Sequence, residues 1–225
     1  MNRPYTICHM MMALDGRIDC AMTEKLKGVE HYYTALHELN TPTTVSGKVT
    51  AQLEMALSGE FKANSTEMFG KEEFSKKTDS EGYEVIVDTK GTLLWADDEN
   101  RTKPRLIITS EQVTKEYLAY LDLKNISWIV CGKAGIDLAR ASEILADEFR
   151  VKRMAVVGGG HINGGFLEAG LLDEISLLIG AGVDGREGMA GVFDGRPMQS
   201  SIIDLKLEKL DSFDDGSIWI RYRID

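Results

Sequence analysis

RMAVVGGGHINGGFLEAGLLDEISLLIG, Arg153 to Gly180, is the stretch whose reading decides the fold. The apolar run Met154 to Val157 reads as a short strand, and Gly158, Gly159 and Gly160 as a tight turn. Ile162, Phe166, Leu167, Leu171 and Leu172 then recur at helical spacing, and Ile175 to Ile179 forms a second apolar run. Strand, glycine turn, helix, strand is an arrangement suited to a phosphate. Glycine leaves no Cβ in the way of a ligand, and a helix start offers unpaired N–H groups at the positive end of the dipole. A plain tight connection is the competing reading. Neither G-x-G-x-x-G nor G-x-x-x-x-G-K-[ST] is present, so the rest of the chain must decide.

The 225 residues are read as one domain, 1–225, long enough for a sizeable core. The formal net charge of −10 argues against a nucleic-acid partner, which needs a basic face. No apolar run approaches the roughly 20 residues of a membrane span, and the N-terminus has no secretory leader pattern. Cys8, Cys20 and Cys131 lack metal-ligand spacing and are expected to be reduced thiols in a cytoplasmic protein. His31 and His37, six apart on one expected helix, do not share a face as a metal pair would. No metal is expected.

Working outward, Tyr5 to Ala13 reads as a first strand buried on both faces, ending at Asp15-Gly16. Glu30 to Leu39 reads as a helix. Thr43 to Ser46 is a strand, followed by Gly47-Lys48-Val49-Thr50 and a helix from Ala51 to Leu57. Phe61 to Glu81 is polar and aperiodic, a long surface excursion with at most a short helix. Further strands fall at Tyr83–Asp88, Leu106–Thr109 and Ile126–Cys131, and helices at Val113–Leu121 and Ile136–Phe149. After a glycine-rich loop from Asp184 to Pro197, Ile202–Asp211 and Ser217–Arg223 read as a strand pair joined near Asp214-Asp215-Gly216. Alternating strands and helices predict an α/β fold, a mostly parallel central sheet flanked by helices and closed by antiparallel C-terminal strands.

Several of these strands end in small or polar residues: Asp15-Gly16, Ser46-Gly47, Asp88-Thr89, Thr109-Ser110, Gly132-Lys133 and Gly158-Gly159-Gly160. Ligands of open α/β sheets bind at the carboxyl ends of strands. Gly47, Lys48, Thr50, Thr89 and Ser110 are candidate contacts for an extended phosphorylated ligand, although Thr50 could equally cap its helix. Asp15 could face the cleft or only cap its turn. With no nucleophile or metal cluster in the sequence, a bound cofactor is the expected carrier of the chemistry.

YTICHMMMALDGRI, VSGKVTAQLE, VIVDTK and above all VVGGGHINGGFLEAGLLDEISLLI resemble the reductase domain of riboflavin biosynthesis, the RibD C-terminal family, over nearly the whole length. The HYYTALHEL segment resembles stand-alone members, which lack a fused deaminase. The resemblance implies a dihydrofolate reductase-like fold, a homodimer, NADPH as cofactor and a small heterocyclic substrate. The family reaction reduces the ribosyl group of 5-amino-6-(5-phosphoribosylamino)uracil. It implies that Gly158, Gly159, Gly160, His161, Ile162 and Asn163, in a stretch reaching Gly165, meet the NADP pyrophosphate and ribose. Thr50 and Thr89 are implied as further cofactor contacts, Asp15 as a catalytic and substrate residue at the nicotinamide, and Glu54 as a substrate contact. Two departures stand out. The family's D-P-x-L-T run is replaced by EMALSGEFKANS, and its glutamate before the glycine loop is Val157. A dihydrofolate or other pteridine reductase, or a non-catalytic NADP-binding protein, are the alternatives.

Overall fold

Three apolar runs in the middle of the chain form adjacent strands with nothing exposed on either face. The computed structural model describes residues 2–225. In chain order it contains β1 (Tyr5–Ala13), α1 (Cys20–Thr23), α2 (Val29–Glu38), β2 (Thr43–Gly47) and α3 (Lys48–Glu54). Next come β3 (Glu73–Ser75), β4 (Glu84–Val87), β5 (Arg105–Thr109), α4 (Lys115–Leu123), β6 (Ser127–Val130) and α5 (Leu138–Asp147). The chain closes with β7 (Arg153–Val156), α6 (Gly160–Glu168), β8 (Glu174–Gly180), β9 (Leu205–Ser212) and β10 (Ile218–Ile224). These residues divide into two compact units, one of residues 2–4 with Pro42–Lys152, the other of Tyr5–Thr41 with Arg153–Asp225.

In the first unit the strands lie in the order β3-β6-β5-β4-β2. β2, β4, β5 and β6 are parallel. Every residue of β5 and β6 is buried, as expected of strands covered on both faces. Ile86, Ile107, Trp95, Tyr117, Leu121 and Trp128 form the centre of the core. At the amino ends of β4 and β5, the carboxylate of Asp98 is fully buried, and it accepts hydrogen bonds from the Arg105 backbone at 2.7 Å and the Arg105 guanidinium at 3.1 Å.

Two expectations are corrected here. The 61–81 excursion contains β3, which pairs antiparallel with β6 through Glu73↔Val130 and Ser75↔Trp128. Its side chains are largely exposed, so no apolar alternation marked it. The second helix begins at Lys48 rather than Ala51 and ends at Glu54 rather than Leu57. β2 runs directly into it, with Gly47 as N-cap and no side-chain cap. Thr50 is therefore inside the first turn and does not cap the helix.

In the second unit the order is β7-β1-β8-β10-β9. β1 is parallel to β7 and β8, and β10 and β9 add antiparallel to β8. Helix α2 covers one face, where Ala35 and Leu39 join Ile7, Met11, Leu178 and Trp219. Beneath it lies a chain of buried polar groups. Trp219 Nε1 donates to Ser176 Oγ at 2.8 Å, and Ser176 Oγ lies 3.0 Å from His9 Nδ1. His9 Nε2 lies 3.1 Å from the Tyr32 carbonyl, which can only accept, so this nitrogen carries the proton. His9 Nδ1 then accepts from the Ser176 hydroxyl. Burial pushes the His9 pKa down to about 4, which keeps the ring neutral.

Candidate functional site

The residues singled out from the sequence fall into two sets, one in each unit. In the first unit, the parallel register aligns Gly47 with Val87, Val87 with Ile108, and Ile108 with Ile129. The carboxyl ends of β2, β4, β5 and β6 thus finish at one edge, and Gly47, Lys48, Thr89, Ser110 and Lys133 follow these ends. The turn after β4 is built by Asp88, which is buried and accepts the N–H groups of Thr92 at 2.7 Å and Leu93 at 3.0 Å. It holds Thr89, half-buried, and Lys90, exposed, at the edge. Lys48 lies 3.6 Å from Glu60. Thr50 is half-buried and Glu54 exposed on α3.

Ser110 has a different task from the one expected of it. It is fully buried. Its N–H and its hydroxyl both donate to the Thr89 carbonyl, at 3.0 and 2.9 Å, and its oxygen accepts from the Gln112 N–H at 3.3 Å. Its hydroxyl braces the ends of β4 and β5.

In the second unit, β7 gives way to Gly158, whose φ is +116°, and the Gly158–Gly159 peptide is cis. Gly159 is the N-cap of α6, with no side chain capping the helix. The Ile162 N–H already donates to the Gly159 carbonyl at 2.9 Å, and the N–H groups of Gly160 and His161 are left to a ligand or solvent. His161 is exposed and Ile162 half-buried. Asn163 is fully buried, and its side-chain N–H donates to the Val192 carbonyl at 2.8 Å. Val157, half-buried, precedes the turn.

Two of the glycines are required by the protein itself. A Cβ on Gly160 would stand 2.3 Å from the Gly191 carbonyl oxygen and 2.8 Å from the Asp194 carboxylate. A Cβ on Gly164 would stand 1.9 Å from the Asp194 carbonyl oxygen. The glycine-rich loop after β8 packs against α6 as a strap. The Asp194 N–H donates to the Gly160 carbonyl at 3.0 Å, and Arg196 and Ser200 both bind Glu168 near the end of α6.

The other end of the strap is fastened to the end of β1, where Leu14 N–H donates to the Gly182 carbonyl at 2.8 Å. Asp15 Oδ2 accepts from the Gly185 N–H and from Arg17, both at 2.8 Å, and Oδ1 accepts from the Asp184 N–H at 3.2 Å. These donors, the Gly185 N–H foremost, hold the Asp15 carboxyl below the usual carboxylate range. Arg17 Nε donates to the Arg186 carbonyl at 2.9 Å, and Arg186 binds Asp184 and Asp19. Asp15-Gly16-Arg17 and Asp184-Gly185-Arg186 are the same tripeptide. The same tripeptide recurs at Asp194-Gly195-Arg196, so the sequence alone does not mark which copies meet.

Two oxygens test whether these junctions suit a dinucleotide. Ser46 Oγ, just before Gly47, and Asn163 Oδ1, on α6, are buried with no hydrogen-bond partner. Each glycine junction therefore carries unused polar capacity, together with backbone N–H groups and no obstructing side-chain cap. Each junction, taken by itself, suits a phosphate group. Among the described residues there is no cluster of His, Cys, Asp and Glu able to hold a metal, and no helix long and apolar enough to cross a membrane.

A profile of the RibD C-terminal domain matches residues 4–219. Solved structures share the fold at low identity. A pyrimidine reductase-like protein from Corynebacterium diphtheriae aligns with a TM-score of 0.72 at 18% identity, covering 100% of this chain and 93% of that one. The riboflavin biosynthesis reductase Rib7 of Saccharomyces cerevisiae aligns with a TM-score of 0.63 at 17% identity, covering 100% and 91%. The diaminohydroxyphosphoribosylaminopyrimidine deaminase/5-amino-6-(5-phosphoribosylamino)uracil reductase of Thermotoga maritima aligns with a TM-score of 0.66 at 16% identity, and the alignment covers 99% of this chain but 57% of that one.

Proposed function

The chain belongs to the RibD C-terminal domain family, a family of reductases, and on that premise we propose that it is a stand-alone NADPH-dependent reductase acting as a single functional domain. Its substrate is a small heterocycle of the pyrimidine class, and the reaction is of the kind that reduces 5-amino-6-(5-phosphoribosylamino)uracil. The observation that carries the reading is the uncapped glycine turn Gly158–Gly160 before α6, whose first N–H groups meet no side-chain cap.

NADPH, when bound, supplies a hydride to the carbon of a C=N or C=O bond. Gly158, Gly159, Gly160, His161 and Ile162 are proposed to receive the pyrophosphate, because the uncapped start of α6 presents N–H donors and its dipole favours an anion. Gly47, Lys48 and Thr50 are proposed on the cofactor at the second junction, with Thr89 towards the adenosine. Asn163 contributes by holding α6 to the strap. Glu54 is proposed on the substrate side. The protein's contribution is placement of the two reactants, and such orientation is a large part of rate enhancement. Asp15, at the end of β1, is proposed on the nicotinamide and substrate side, with its carboxylate accepting from Gly185, Asp184 and Arg17.

A cytoplasmic homodimer is the form in which we place it. One sheet face of the second unit supports the dimer. The β9–β10 register shifts between Arg221 and Tyr222, which sets Leu207 opposite Tyr222, Leu210 opposite Ile220 and Leu205 opposite Ile224. These three leucines are 51%, 60% and 41% exposed and share the face turned away from Trp219 and α2. No charged residue of β8, β10 or the paired positions of β9 lies on that face. Two copies of a chain carrying −10 repel over most of their surface, and a neutral apolar face is self-complementary about a twofold axis.

The reaction is tested by following NADPH oxidation with 5-amino-6-(5-phosphoribosylamino)uracil and with dihydrofolate as parallel substrates. Turnover of the pyrimidine supports the assignment. A folded protein with no affinity for NADPH sinks it.

A further inference from the structure

We propose that Asp15 is a positioning residue that works through the strap. The inference rests on the reading of the chain as an NADPH reductase only where it concerns cofactor affinity; the latch itself is a property of the free protein.

Both carboxylate oxygens of Asp15 are occupied. Gly185 N–H and Arg17 donate to one and Asp184 N–H to the other. Protonation would cost at least one of these charge-assisted bonds, which are the stronger kind. The reciprocal tripeptide completes the clamp. Arg17 spans its own Asp15 and the Arg186 carbonyl, while Arg186 spans its own Asp184 and Asp19. Arg17 also bridges to Gly191 further along the strap, and the Ile18 N–H donates to the Ala190 carbonyl at 3.2 Å.

From there the strap runs to α6. Val192 receives the Asn163 amide, Asp194 N–H donates to the Gly160 carbonyl, and the strap backbone sits where side chains on Gly160 and Gly164 would otherwise stand. A continuous set of hydrogen bonds therefore joins the end of β1 to the helix that follows the glycine turn. Releasing Asp15 loosens the Asp184–Arg186 turn, while Leu14, Arg17 and Ile18 still hold the strap to the end of β1, and the strap is the support that sets α6. Asp15 thus fixes the cofactor turn from a distance, by way of the Asp184–Arg186 turn.

The test compares the full chain with D15A, D15N and G185A. Gly185 has φ +65°, and a Cβ there would meet only Val183 Cγ1, in ordinary contact at 4.0 Å, so alanine strains the strap turn and leaves the Asp15 carboxylate chemically intact. Hydrogen exchange is read on the free protein across 182–194, and NADPH affinity by fluorescence titration. The expected result is exchange faster by about tenfold and an NADPH Kd raised several-fold in both D15A and G185A, with D15N between the wild type and D15A. Unchanged strap exchange in D15A overturns the proposal. So does a G185A protein that behaves as wild type while D15N loses turnover at unchanged Kd, since Asp15 would then act as a chemical group. If the wild-type chain has no affinity for NADPH, the reductase reading fails, and the exchange data still decide the latch.

Discussion

Asn163 donates its side-chain N–H to the Val192 carbonyl, 2.8 Å away, and so binds the loop after β8 to the helix after the glycine turn. The contact brings strap backbone so close to α6 that Gly164 has no room for a side chain. Alanine in place of glycine inside a helix ordinarily stabilises by roughly 0.5–1 kcal/mol. Gly164→Ala is expected to do the reverse, because its Cβ would stand 1.9 Å from the Asp194 carbonyl oxygen. A loss of about 1–3 kcal/mol in denaturant unfolding is predicted. A gain in stability would show that the strap does not rest on α6.

His9 gives a pH signature. Its folded pKa of about 4 lies below the unfolded value of about 6.5. The neutral ring is the form the fold favours, so its contribution is fully present above pH ~6.5 and is lost as pH falls through the folded value. The difference is worth about 3 kcal/mol. Urea unfolding between pH 7 and 4 should show this slope in the wild type. His9→Gln, whose side chain does not titrate, should lose the His9 share of that slope. A wild-type stability flat between pH 6.5 and 4.5 would contradict the buried neutral assignment.

In the first unit, Asp88→Ala leaves the N–H groups of Thr92 and Leu93 without their acceptor. An unsatisfied buried donor costs roughly 1–3 kcal/mol, so a loss of about 2–4 kcal/mol is expected from the two together. The turn carrying Thr89 and Lys90 should become more accessible to protease. Resistance equal to wild type would show that Ser110 alone secures it.

Leu207→Lys and Leu210→Lys put charge at the centre of the exposed face of β9. If that face joins two copies, either variant sediments as a monomer at concentrations where wild type is a dimer, and its far-ultraviolet circular dichroism is unchanged. Wild-type protein that is monomeric at high concentration, or variants that remain dimeric, would place the contact elsewhere or remove it.

What could be read from the sequence follows from where the signal is local. β4, β5 and β6 were legible because strands covered on both faces are continuous apolar runs. The turn and helix at Gly158–Glu168 were legible because glycine and helical periodicity sit side by side. β3 was not, since three largely exposed residues carry no period and only pairing with β6 makes them a strand. The start of α3 was misplaced because Gly47 caps it without the side chain that would mark a boundary. Ser110 and Asp15 show the harder limit. Their residue types suited a ligand, and whether a hydroxyl or carboxylate is free depends on partners such as Thr89 or Gly185, which chain order does not bring near. The glycines at 160 and 164 were credited to a ligand, while the space they leave is taken by the strap.

The central claim is that this chain is an NADPH-dependent reductase whose cofactor lies against the start of α6. Its most direct test is hydrogen exchange of the full-length protein with and without saturating NADPH. The account predicts saturable binding, with the amides of Gly159 to Ile162 slowed by the cofactor and little change at the Tyr32 and Leu178 amides in the core under α2. A folded protein with no NADPH binding, or binding that leaves the glycine turn unprotected, would contradict it.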